Sequence, residues 1–116
     1  MTLQFLALTD LHHQPEVFPH DAPAFLRKIL ARGKDAGASF AIQLGDFLHD
    51  LPPNGWLADE YAEADLPTYS AFGNHDTDRD EMGRILEMYR LERSYYHFDC
   101  EGYRILLLVR RGKCAV

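Results

Sequence analysis

Phe40-Ala41-Ile42-Gln43-Leu44-Gly45-Asp46 is the stretch whose reading decides the fold. Phe40, Ile42 and Leu44 alternate with Ala41 and Gln43, the two-residue period of a β-strand. The strand then runs into Gly45-Asp46, a turn signal. The same plan recurs on either side. Leu3 to Leu8 is a near-continuous apolar run that ends at Thr9-Asp10, the pattern of a parallel strand covered on both faces. Thr68 to Phe72 reads as a third, short strand ending at Gly73-Asn74-His75-Asp76.

Helices are expected between these strands. Asp21 offers an N-cap with Pro23 in the first turn. Phe25, Leu26, Ile29 and Leu30 form one helical face, and Gly37 is the expected stop. Pro52-Pro53-Asn54-Gly55 breaks the chain before a short helix over Trp56 to Ala64. Asp78 and Glu81 have capping-box spacing ahead of a helix whose face is Met82, Ile85, Leu86 and Tyr89. Ser94 to Asp99 and Tyr103 to Val109 read as strands paired across a Glu101-Gly102 turn. The order β-α-β-α-β-α-β-β implies an α/β fold with a mainly parallel sheet. Right-handed crossovers place the helices over that sheet.

The 116 residues suffice for one domain, 1–116, around one core. A net charge of -6 disfavours a general binder of nucleic acid or membrane surface, because both need basic surface. It does not disfavour a phosphorylated substrate, since bound divalent metals reverse a local field. Cys100 and Cys114 form no C-x-x-C pair, and the expectation is two reduced thiols in a cytoplasmic protein. The first residues lack the basic start of a signal peptide, and no apolar run is long enough to span a bilayer.

Three polar clusters thus fall at the C-terminal ends of successive strands: Asp10-Leu11-His12, Gly45-Asp46 and Gly73-Asn74-His75-Asp76. Open α/β sheets bind ligands in the crevice at those ends. Carboxylate, imidazole and amide oxygen are ordinary donors to hard or borderline divalent ions. An aspartate can bridge two ions at the usual separation of about 3.5–4 Å. Singly, each residue has a plainer reading: Asp10 as an Asx-turn former, Asp46 as a turn residue, Asn74 as a carrier of positive φ, His12 as a solvated loop histidine. Jointly, three strand ends each deliver a suitable donor in order.

That ordered triple resembles the first three motifs of the calcineurin-like metallophosphoesterases, whose fold is a β-sandwich flanked by helices. The resemblance implies a metal-dependent phosphoester hydrolase, a phosphomonoesterase or phosphodiesterase, with two divalent ions drawn from Mn, Fe, Zn or Mg. By the same resemblance, Asp10 and His12 hold the first ion, Asp46 bridges both and Asn74 holds the second. His75 faces the phosphoryl or leaving-group oxygen as hydrogen-bond donor or general acid, and a metal-bound hydroxide attacks phosphorus in line. The substrate implied is a phosphorylated small molecule or phosphodiester.

The sequence departs from the family pattern after Asn74. The later lone His and the Gly-His-x-His motif have no counterpart, and His97 in Tyr95-Tyr96-His97-Phe98 reads as a packed or edge strand residue. His13 and His20 read as solvated loop residues, and Asp50 stands one place beyond the position where some relatives orient the catalytic histidine. The pattern-free basic stretch from Arg110 reads as a domain cut short, with a weak second metal site, impaired activity and apolar sheet surface open to self-association. The competing reading is a non-catalytic binding or scaffold module that keeps the fold without a complete site.

Overall fold

In the computed structural model of the chain, described over residues 2–15, 17, 19–48, 54–72 and 82–108, the expected element order is present. The strands are β1 (Leu6–Leu8), β2 (Ala41–Gln43), β3 (Thr68–Ser70), β4 (Tyr96–Cys100) and β5 (Tyr103–Leu107). The helices are α1 (Ala22–Asp35), α2 (Trp56–Ala62) and α3 (Met82–Met88). The expected strand end at 73–76, the capping-box pair Asp78 and Glu81, the Pro52-Pro53 break, Asp50, Val109 and Cys114 lie outside the described residues.

β1, β2 and β3 pair in parallel in that order, and β4 and β5 form an antiparallel hairpin. The register aligns Leu8 with Gln43 and Gln43 with Ser70, so the three strands end level. Side chains alternate across such a sheet. Leu6, Leu8, Ala41, Gln43, Thr68 and Ser70 therefore share one face, which the helices cover. Leu26 of α1, Leu57, Ala58 and Tyr61 of α2, and Ile85 and Tyr89 of α3 join Leu8, Leu11, Phe47 and Phe72 in one core cluster.

Phe40, Ile42, Tyr69 and Ala71 point to the opposite face, where the hairpin packs through Phe98, Ile105 and Leu107. Tyr69 and Phe98 stack with ring centroids 3.5 Å apart, and Phe40 meets Phe98 edge-on at 5.0 Å. This cover reaches β2 and β3 but leaves β1 open. Phe5 stacks on Phe40 yet stays half exposed, and Ala7 is exposed.

Two tyrosines pin β3 from opposite sides. The Tyr61 hydroxyl donates to Tyr69 O at 2.7 Å. The Tyr96 hydroxyl donates to Ser70 O at 2.8 Å and accepts from Ser70 N at 3.0 Å. Burial pushes the proton affinity of both phenols up, so each hydroxyl keeps the proton it donates.

Helix α1 begins and ends as the sequence implies. Asp21 Oδ1 accepts from Ala24 N at 3.1 Å, Pro lies in the first turn, and Gly37 follows the last turn at φ 89°. One expected core residue is corrected. Helical periodicity puts Phe25 on the buried face with Leu26, but it is 54% exposed while Leu26 is fully buried. The helix turns its Leu26, Ile29 and Leu30 edge to the sheet, and Phe25 falls just off that stripe.

Gly33 sets how closely α1 approaches β1. A Cβ at this position would stand 3.1 Å from Leu6 Cδ2 and 3.3 Å from Leu6 Cβ. Alanine in a helix interior gains about 1 kcal/mol over glycine, whereas overpacking a fitted contact costs about 1–3 kcal/mol. Leu6 Cβ is fixed to a paired strand and cannot rotate away, so the second effect wins. Gly33→Ala is expected to lower stability by about 1 kcal/mol in a urea-unfolding comparison. A gain in stability would mean that α1 can lift from β1 freely.

Candidate metal centre

The loops after β1 and β2 run side by side and are joined through their backbones. Leu44 N donates to Leu8 O at 2.8 Å, Asp10 N to Gly45 O at 3.1 Å, His12 N to Asp46 O at 3.0 Å and His13 N to Phe47 O at 3.0 Å. The parallel pairing thus continues past the strand ends as far as a bridge between His13 and Leu48. Asp10 and His12 on one loop are held against Asp46 on the other.

All three residues take backbone conformations that side chains disfavour. Asp10 has φ 57°, His12 φ 50° and Asp46 φ 51°. Such residues cost of order 1–3 kcal/mol each and persist only where surrounding structure fixes them. Here the ladder between the loops does so. Gly45, at φ 113°, occupies a region closed to other residues and allows the sharp exit from β2. The positive φ of Glu101 and Gly102 is an ordinary hairpin turn and that of Arg90 a helix end.

One donor atom from each of Asp10, His12 and Asp46 lies within 4.8 Å of the other two. His12 Nε2 stands 3.3 Å from Asp10 Oδ1. The Thr9 hydroxyl donates to Asp10 Oδ2 at 2.7 Å. That bond is the chief reason the Asp10 carboxyl is held below the usual carboxylate range, with His12 adding to it. Two carboxylates and an imidazole brought this close form a donor set suited to a divalent cation, which offsets the repulsion between the two acids. Of the residues expected to carry the chemistry, the structure brings together Asp10, His12 and Asp46. Asn74 and His75 lie outside the described residues.

Two histidines differ in their setting from each other. His13, expected in solvent, is buried at 5% exposure and meets Trp56 edge-on at 5.5 Å. Its backbone bridge to Leu48 carries it under the loop instead of out of it. His20 is exposed, and its Nε2 donates to Leu11 O at 2.9 Å. His97 lies on β4 opposite Leu106, facing outward.

Gln43 is the residue that sequence reasoning passed over. In the sequence it is the polar beat of an alternating strand, yet it is fully buried. Its Oε1 accepts from Gly45 N at 2.9 Å, its Nε2 donates to Ala71 O at 3.2 Å, and its backbone oxygen accepts from Ala71 N at 2.9 Å. One side chain therefore ties the Gly45-Asp46 turn to the end of β3. The available signal was an amide at the last position of a strand otherwise apolar throughout.

A parallel sheet with a carboxylate-imidazole cluster at its strand ends defines a class of metal-binding α/β protein. Residues 3–114 match the calcineurin-like phosphoesterase family, and the chain belongs to it. It is similar to a manganese-dependent ADP-ribose/CDP-alcohol diphosphatase of Oryza sativa subsp. japonica, with 27% identity over 106 residues. The match takes in 81% of this chain and 33% of that protein, so the chain spans about a third of the relative's length. No helix among the described residues is long and apolar enough to cross a membrane.

Replacing Gln43 with Met keeps its volume and removes both side-chain bonds. Leaving the buried Gly45 N–H without an acceptor costs about 1–3 kcal/mol. Supporting residues around a metal typically contribute about 10–100-fold to its affinity. Gln43→Met is expected to lower the unfolding midpoint and to weaken Mn²⁺ binding in calorimetric titration. Unchanged affinity in a folded variant would show that the turn holds Asp46 without Gln43.

Proposed function

We propose that this chain carries part of a dinuclear metal site for phosphoester hydrolysis, acting on a phosphorylated small molecule. Asp10, His12 and Asp46 hold one divalent ion. Asp46 is shared with a second ion, which Asn74 also binds, and His75 serves as donor or general acid to the phosphoryl or leaving-group oxygen. The observation that carries this reading is the convergence of donor atoms from Asp10, His12 and Asp46 within 4.8 Å, each on strained backbone at a strand end.

When bound there, divalent ions supply Lewis acidity toward phosphoryl oxygen and lower the pKa of water. The chain's own residues do the positioning. Thr9 orients Asp10 by donating to Oδ2, which turns Oδ1 toward His12. The ladder between the two loops keeps Asp46 beside both. Oxygen and nitrogen donors admit Mn, Fe, Zn or Mg. The relative's manganese dependence favours Mn, and the ADP-ribose and CDP-alcohols in its name favour a small phosphorylated molecule.

Asp10, His12, Asp46 and Asn74 leave most coordination positions of two ions to other ligands, since such ions each take about four to six. Turnover of an aryl phosphate ester by this chain alone is therefore expected to be slow, and metal affinity is the sharper measurement. Calorimetric titration with Mn²⁺ is expected to show binding that Asp46→Asn weakens by more than the ~10–100-fold typical of an outer partner. Equal Mn²⁺ affinity in the folded variant would remove Asp46 from the site and overturn the assignment.

A further inference from the structure

A pocket of about 390 Å³ lies between the end of β1 and the start of α1, and Asp10 is part of its wall. Its floor is apolar. Leu8 and Leu11 are buried there, and the Phe25 ring forms one side. Phe25 is the aromatic that helical periodicity assigned to the core and that the fold leaves 54% exposed.

Two of the polar groups at the rim, those of Asp21 and His20, are engaged with backbone. Asp21 Oδ1 accepts from Ala24 N, and His20 Nε2 donates to Leu11 O. Those bonds hold the rim in place and leave the apolar floor as the surface a ligand meets. Its volume admits a ring, since a dry apolar cavity of about 150 Å³ is enough for benzene. Asp10 lines this pocket and also belongs to the cluster with His12 and Asp46, so a phosphoester bound at the cluster lies beside the opening.

We propose that the pocket formed by Leu8, Leu11 and Phe25 beside Asp10 is a specificity subsite that takes the flat aromatic ring of a phosphoester substrate. Phe25 offers the ring face on which that group stacks, and Leu8 and Leu11 supply the floor. The inference rests on the metal-site reading above. It adds a preference for ring-bearing over small alkyl phosphoesters, set by a residue that contacts no metal.

The test compares two non-hydrolysable probes with the same head group, phenylphosphonate and methylphosphonate, titrated calorimetrically into the Mn²⁺-loaded chain. Wild type is expected to bind phenylphosphonate roughly tenfold more tightly, the scale of one aromatic pair with its buried area. Phe25→Ala should bring the two affinities together without changing that for methylphosphonate, and Phe25→Tyr should keep the difference. Circular dichroism confirms the fold of each variant. Equal binding of both probes by wild type, or a difference that survives Phe25→Ala, overturns the subsite and leaves the metal site standing. Failure of both probes to bind the Mn²⁺-loaded protein overturns the phosphoester reading itself and the subsite with it.

Discussion

A continuous run of hydrogen bonds crosses the ends of the three parallel strands. It passes from Ala71 to Gln43, from Gln43 to Gly45 through the buried amide, and from Gly45 O to Asp10 N. The strands themselves are short, only three residues each. Pairing of that length specifies register weakly unless one face is buried or something else fixes it. Here every residue of β2 is buried, and the Gln43 side chain extends the ladder beyond the last strand residue. That extension ties down the Gly45-Asp46 turn, which carries Asp46 beside Asp10 and His12.

Energetically, the arrangement is a trade between packing and strain. Leu26, Phe40, Leu57, Tyr61 and Ile85 are almost completely withdrawn from water, and each such side chain contributes about 1.5–3 kcal/mol. Against this stand Asp10, His12 and Asp46 at positive φ, costing of order 1–3 kcal/mol each. The strain lies where donor atoms must converge, and the packing lies one layer away under the helices. The core can hold the loops in place without entering the site. Surface ion pairs such as Arg27–Glu60 link α1 to α2 but are exposed, and such pairs contribute little.

The candidate cluster was legible where chemistry follows from residue type and order. Asp10, His12 and Asp46 were identifiable because carboxylates and an imidazole recur directly after strand patterns, and the fold brings those three together. Gln43 was not, because a polar residue at alternate strand positions normally faces solvent. Only parallel pairing on both sides of β2, with α2 laid over that face, buries it. His13 and Phe25 exchanged their expected settings for a related reason. A loop residue is buried where its backbone bridges to Leu48, and Phe25 falls just off the stripe that α1 turns to the sheet.

By itself, the sequence determined the alternation of strand and helix, the cap at Asp21, the stop at Gly37, the hairpin turn at Glu101-Gly102 and the candidate donors Asp10, His12 and Asp46. These depend on local propensity and on the chemistry of side chains, which a linear pattern carries. Tertiary structure alone decided the level ending of three strands, the ladder that joins two loops far apart in the chain, the burial of Gln43 and the exposure of Phe25. Those depend on which surfaces meet, and a surface's partner is a property of the packed chain, not of any one segment.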